Sequence, residues 1–339
     1  MSAREQFPEV HWIWGGGISF VYDVHPCIAV KVPRSGAEER ELFQREVNIR
    51  KTISRSPPCA YIVQCFHHAD NGLFLDNHIY EYPSLLVTKV EKLEPILLRK
   101  EWMNDLTQAV AFLESINLAH GDLRPENILL DRNKLKLSDF DCTAEIGAPH
   151  EACIVPYGRF LNSNESDEVS CGERDAGLLG PRTEQFALGS LYFFINYGFE
   201  VYGDRHLTED YREHGPRAIE LLQDMIFPDL NGDPLIDEII QKCWHNKYGS
   251  IAALASADAR ATGKESPTEI FTVAEVNTMQ MGRDTSDQHR GSGEILVLEG
   301  FDSKQDLCRD LEKRGLLELL SSGEPQELGF PLELYRYKC

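Results

Sequence analysis

The sequence predicts an α+β fold of two lobes: a small β-rich N-lobe with one helix, then a larger and mainly helical C-lobe. Three observations predict it. Strand-like runs crowd the first 82 residues and admit a single helical stretch. After Pro83 the apolar spacing switches to the helical period. Near the middle, two short strand-like runs flank one tight turn.

In "VHWIWGGGISFVYDVHPCIAVKVPR", β-branched and aromatic residues surround a glycine cluster, so three strands are expected, the first two joined across Gly15, Gly16 and Gly17. "GAEERELFQREVNIRKTIS" follows with helical spacing and predicts a helix from Ala37 to Ile53, closed off by Pro57-Pro58. "AYIVQCFHHA" and "GLFLDNHIYEY" read as two more strands around the turn Asp70-Asn71-Gly72. In the C-lobe, "EWMNDLTQAVAFLESIN" puts Trp102, Leu106, Ala109, Val110 and Leu113 on one face. "NILLD" and "KLKLSDF" flank an Asp-Arg-Asn turn, and residues 144–181 are polar and irregular. Helical patterns return in "TEQFALGSLYFFINYG", "RAIELLQDMI", "LIDEIIQKCW" and "SIAALASADARA". "DSKQDLCRDLEKRGLLELLSS" reads as one last amphipathic helix. The expected division is an N-lobe over 8–82, a C-lobe over 83–263, a flexible linker over 264–292 and a C-terminal helical extension over 293–339.

Composition narrows the class. Of 339 residues, 42% are hydrophobic, enough for a sizeable core. Acidic residues outnumber basic ones 55 to 34, for a net charge of −21, and such a surface repels phosphate backbones and anionic lipid. No nucleic-acid or membrane partner is expected. The 9 cysteines include no C-x-x-C pair, and neither a signal-peptide pattern nor a membrane-length apolar run is present, so an intracellular protein with reduced thiols is expected, cytoplasmic or nuclear. The histidines show no metal-ligand spacing with the cysteines.

The chemistry concentrates in "HGDLRPENILLDRNKLKLSDFD", residues 120–141. Phosphoryl transfer needs a triphosphate held, a metal held, charge neutralised and a hydroxyl aimed. His120, Asp122, Leu123 and Asn127 fit H-R-D-L-x-x-x-N, and Asp139-Phe140 follow at the spacing of D-F-G. In that pattern Asp122 accepts the hydroxyl proton, Arg124 supplies positive charge beside it, and Asn127 and Asp139 offer oxygens to Mg²⁺. Lys31, in "CIAVKVP", resembles the strand lysine of V-A-I-K. Glu46, in the middle of the following helix, is its expected ion-pair partner, with Glu41 as the competitor. The glycine-rich loop is eroded: Gly16 takes the central glycine position of G-x-G-x-x-G, with Trp14 and Ser19 at the outer two. Gly15 to Gly17 and Ser19 still permit backbone N–H groups close to phosphate.

These motifs resemble a eukaryotic protein kinase domain, and most closely the fungal-type protein kinase-like proteins, marked by "HGDLRPEN", "SDFD" and "EQFALGS". The resemblance runs from about residue 10 to the end and is thinnest over 144–180. It implies a bilobal kinase fold, ATP and Mg²⁺ as cofactors, and a Ser/Thr protein substrate, since "RPEN" is nearer to the Ser/Thr form than to the Tyr form. The departures are Gly121 for the usual Arg, Arg124 for Lys, Asp141 for the D-F-G glycine, Glu184 for a buried Asp, and no A-P-E over 142–182. They leave open two other readings, a pseudokinase scaffold and a small-molecule phosphotransferase of the aminoglycoside or choline kinase type acting on a hydroxyl acceptor. The oligomeric state is not legible.

Overall fold

The computed structural model describes residues 6–77, 92–152, 154–162, 165, 175–262 and 301–331. The expected linker over 264–292 lies outside them, as do residues 78–82 of the anticipated fifth strand.

The small lobe is built from β1 (His11–Gly15), β2 (Ser19–His25), β3 (Ile28–Pro33), α1 (Ala37–Ile53), β4 (Cys65–Ala69) and β5 (Gly72–Asp76). Its antiparallel sheet has the order β1-β2-β3-β5-β4. Alternation along the strands sends Phe20, Tyr22, Val30, Val32 and Phe74 to one face and Val21, Ala29, Lys31 and Leu73 to the other. All six residues of β3 are buried, as expected of a central strand covered on both sides. On α1 the buried stripe is Phe43, Glu46, Val47 and Arg50, at i, i+3, i+4 and i+7. Two of those four residues are charged, which marks the stripe as more than packing.

The β4 strand is shorter than "AYIVQCFHHA" implies. Tyr61 and Val63 bond instead to Leu137 of the large lobe, with Leu137 N–H donating to the Tyr61 carbonyl at 2.8 Å and Val63 N–H to the Leu137 carbonyl at 2.9 Å. The segment therefore ties the lobes together before it joins the sheet.

The large lobe follows with α2 (Ile96–Ser115), β6 (Leu118–Ala119), the hairpin β7 (Ile128–Asp131) and β8 (Lys134–Leu137), β9 (Ala144–Glu145), α3 (Pro181–Tyr197), α4 (His214–Gln223), α5 (Pro234–Trp244) and α6 (Ile251–Thr262). Buried Trp102, Leu106, Ala109, Val110 and Leu113 make α2 the core helix that the spacing predicts. Gly189 explains part of "ALGS": a Cβ there would stand 2.9 Å from the Trp244 ring and 3.0 Å from Cys243 Cβ, so α3 and α5 approach closely only at a glycine. Trp244 Nε1 then donates to Ser190 Oγ at 3.2 Å.

The last segment differs from expectation. It forms two helices, α7 (Lys304–Lys313) and α8 (Leu316–Leu320), because Gly315 takes a left-handed φ of 83° between them. Both pack on the sheet face of Phe20 and Tyr22, and a side chain at Gly72 would collide with Leu317. No helix among the described residues is long and apolar enough to cross a membrane.

Asp258, buried in α6, accepts hydrogen bonds from Thr107 and, at 3.1 Å, from Tyr192, and burial pushes its carboxyl up to about 7. Its folded pKa thus lies above the unfolded value of 3.8, so the neutral acid favours folding below about pH 4 and that contribution is lost as pH rises through 7. Asp258→Asn is expected to flatten the fall in urea-unfolding stability between pH 4 and 8 by a few kcal/mol, roughly 1.4 kcal/mol for each pH unit removed. A pH dependence of stability that is the same in Asp258→Asn and in the wild type contradicts the assignment.

Candidate active site

The short pair β6–β9 fixes both ends of the "HGDLRPEN" loop's surroundings, with Leu118 opposite Glu145 and Ala119 opposite Ala144. Glu184 of α3 then holds the loop from below. It is buried and accepts the His120 N–H at 2.9 Å and the Gly121 N–H at 3.2 Å. Burial raises its pKa, and His120 with those two N–H donors offsets this only in part. His120 is buried too, with Nε2 3.0 Å from the Ser138 carbonyl. Gly121 has φ +79°, and a Cβ there would sit 2.6 Å from the Cys142 carbonyl oxygen. The glycine is thus required by this close approach as well as being a missing arginine.

Asp122 and Asn127 are joined directly. Asn127 Nδ2 donates to the Asp122 carbonyl at 2.8 Å and to its Oδ2 at 2.9 Å. Arg124 Nε lies 3.2 Å from the same Oδ2. Burial raises the Asp122 pKa, with Arg124, His120 and Asn127 partly offsetting it.

Opposite, Lys31 Nζ donates at 2.6 Å to both Glu46 Oε2 and Asp139 Oδ1. Glu46, not Glu41, is the lysine's partner; Glu41 lies 3.8 Å from Arg45. Burial would lower the Lys31 ammonium, but Asp139 and Glu46 outweigh it and hold it above its ordinary value. The converse holds for Asp139: burial raises its pKa and Lys31 more than reverses this, leaving it lowered. Burial and then Asp139 raise the Asp141 carboxyl. Asp139 takes a left-handed φ of 56°.

One residue escaped the sequence reading. Arg50 is 2% exposed, donates Nη1 to the Val63 carbonyl at 2.6 Å, and places its guanidinium 4.3 Å from the centre of the Phe140 ring. Its Nε is 3.8 Å from Glu46, and the Phe140 N–H points to Glu46 Oε1 at 3.4 Å. Helix α1 is therefore tied to the Asp139-Phe140 turn through both Glu46 and Arg50. The available signal was a second charge four residues after Glu46, on the same helical stripe.

The glycine cluster roofs a cleft of about 530 Å³ whose walls include Gly15, Gly16, Gly17 and Ser19 above, Val21, Ala29 and Leu129 at the sides, and Lys31, Asp122, Arg124, Asn127 and Asp139 within. The residues expected to bind nucleotide, hold metal or take part in transfer, Glu46 included, thus line one space, while His120, Leu123 and Glu184 are buried outside its lining. The Gly16 N–H is used by the Ser19 carbonyl at 2.9 Å, so that donor closes the hairpin and does not face phosphate.

A hard divalent cation fits this donor set. With its nitrogen committed to Asp122, Asn127 presents its amide oxygen as its remaining polar atom, in the same cleft as the carboxylates of Asp139 and Asp141. Among the described residues no three or more His, Cys, Asp or Glu side chains are grouped to hold a metal, and Mg²⁺ takes only one or two carboxylates beside phosphate and water.

A protein kinase domain model matches residues 17–248, more than half of the chain. The chain belongs to the protein kinase domain family. Similar proteins are kinases by name. The CBL-interacting protein kinase 11 of Oryza sativa subsp. japonica is 28% identical over 221 residues, 60% of this chain and 41% of its own length. The CBL-interacting serine/threonine-protein kinase 15 of Arabidopsis thaliana is 25% identical over 225 residues, 61% of this chain and 51% of its own. The human phosphorylase b kinase gamma catalytic chain, liver/testis isoform, is 34% identical over 131 residues, 37% of this chain and 32% of its own. This kinase domain thus spans about a third to a half of the relatives that it matches. None of the three is from a fungus, so kinship with the fungal-type group rests on the motifs alone.

Proposed function

We propose that this protein is an ATP- and Mg²⁺-dependent protein kinase acting on Ser or Thr, with Asp122 as the base that receives the hydroxyl proton. One observation carries the reading: Lys31, seated between Glu46 and Asp139, faces the bonded pair Asp122–Asn127 across a nucleotide-sized cleft. In this reading Lys31 aims its charge at the α- and β-phosphates and Glu46 fixes its direction. Arg124 neutralises the γ-phosphate, while Gly15, Gly17 and Ser19 cover the triphosphate. Asn127 and Asp139 hold Mg²⁺, which when bound neutralises charge on the phosphates. The direction toward Ser or Thr rests on "RPEN" and on the relatives' names. Membership of the fungal-type group rests on "HGDLRPEN", "LSDFD" and "TEQFALGS".

A second reading, transfer to a small hydroxyl-bearing molecule, draws on Asp141, whose carboxylate borders the cleft where the D-F-G pattern has glycine. Radiolabelled ATP incubated with generic acceptor proteins and, separately, with a hydroxyl-metabolite panel decides between them. Label in protein Ser or Thr supports the first reading, and label in metabolites alone replaces it. No transfer to either, with nucleotide still bound, leaves a binding scaffold.

A further inference from the structure

Residues 301–331 lie beyond the stretch matched by the kinase domain model, yet they complete the small lobe's core. Leu311, Leu316, Leu317 and Leu320 cover the outer sheet face, opposite the cleft. From this cover two charged contacts reach toward the cleft, one directly to a lining residue and one through Arg34. Lys304 Nζ donates to Asp76 Oδ1 at 2.6 Å, and Asp76 is a cleft wall at the end of β5. Glu324 Oε2 lies 3.5 Å from Arg34 Nη1, and Arg34 Nε donates to the Gly16 carbonyl at 2.9 Å while its guanidinium lies 4.4 Å from the Phe20 ring centre. The Arg34 N–H also bonds the Ile18 carbonyl at 2.9 Å. Gly16 is thereby gripped on both sides, by Ser19 through its N–H and by Arg34 through its carbonyl.

We propose that Arg34 and Lys304 are positioning residues through which the C-terminal segment braces the glycine hairpin and the Asp76 wall at the spacing a nucleotide needs. The proposal deepens the kinase reading and rests on its nucleotide. These ion pairs are partly exposed, with side chains 32% and 35% accessible for Arg34 and Glu324, so their effect on stability is small and their effect on loop position is the measurable one.

The test uses the full chain. Arg34→Gln, Glu324→Gln, Lys304→Gln and the double variant Arg34→Gln/Glu324→Gln are compared by calorimetric titration with Mg-ADP, by KM for ATP against kcat, and by Tm. Arg34→Gln and Lys304→Gln are expected to weaken Mg-ADP and raise KM about three- to tenfold, less than the full worth of one charge-assisted hydrogen bond because these pairs are partly exposed and act only through loop position, with kcat and Tm unchanged. The double variant is expected to be no weaker than Arg34→Gln, because Glu324 acts through Arg34. Wild-type affinity in Arg34→Gln and Lys304→Gln overturns the brace alone, as does an activity loss that only tracks a fall in Tm, or an additive double variant. A wild-type chain that binds no Mg-ADP overturns the kinase reading and the brace together.

Discussion

Lys31→Met is expected to abolish the rise in Tm that Mg-ATP gives the wild-type protein, and to lower kcat/KM on the order of 10²-fold or more, the scale of one preorganised charge lost from a reacting centre. The wild-type shift follows from linkage: ligand at about 100 times Kd stabilises by roughly 2.7 kcal/mol. Lys31 is 5% exposed and contacts Glu46 and Asp139 at 2.6 Å each, so its ammonium is held in one place by two carboxylates. The fold itself is expected to survive. Glu46 keeps Arg50 at 3.8 Å and the Phe140 N–H at 3.4 Å, so its buried carboxylate is not left without positive partners. Methionine also fills the lysine's volume with no charge to desolvate. The apo Tm is the control. A variant with a near-native apo Tm and an undiminished Mg-ATP shift removes Lys31 from the proposed phosphate site.

The sequence made this centre legible because its residues sit in short windows with rigid spacing. Asp122 and Asn127 share one loop, and Lys31 and Glu46 sit on a strand and the helix that directly follows it. Glu184 was recognisable only by motif, yet its two hydrogen bonds to the loop are what the extra methylene still allows. What was not legible depends on long-range partners. Arg50 looks like an ordinary helix surface cation until the Phe140 ring, 90 positions later, is placed beneath it. The stretch Tyr61–Gln64 has strand character, but Tyr61 and Val63 bond Leu137 of the large lobe, and only the Gln64 carbonyl reaches the sheet, accepting the Asp76 N–H at 2.9 Å. Periodicity in "QDLCRDLEKRGLLELL" reports an apolar face without saying what it covers. Because Leu316, Leu317 and Leu320 keep the helical spacing across the break, Gly315 was easy to read through.

Asp122→Asn is expected to lower kcat by about 10²- to 10⁴-fold while leaving KM for ATP and the Mg-ATP thermal shift unchanged. The substitution is nearly isosteric, and the contacts around it determine how it settles. Asn127 Nδ2 and Arg124 Nε both face Oδ2 at 2.9 and 3.2 Å, so the new amide turns its oxygen toward them and its NH₂ to the other position. In the proposed role, a donor then stands where the hydroxyl proton has to go. Loop geometry is retained, because Asn127 also bonds the Asp122 main-chain carbonyl. The wild-type pH profile tests the same assignment from another side. Burial raises the Asp122 pKa above its ordinary value, so in the proposed role the ionised base, and kcat with it, is lost as pH falls through that raised value, at a higher pH than an exposed Asp gives. Arg124 lowers that pKa, so Arg124→Gln is expected to move the acidic limb to still higher pH beyond its own loss of rate. Turnover unchanged in Asp122→Asn, or an acidic limb unmoved by Arg124→Gln, assigns the proton to another group.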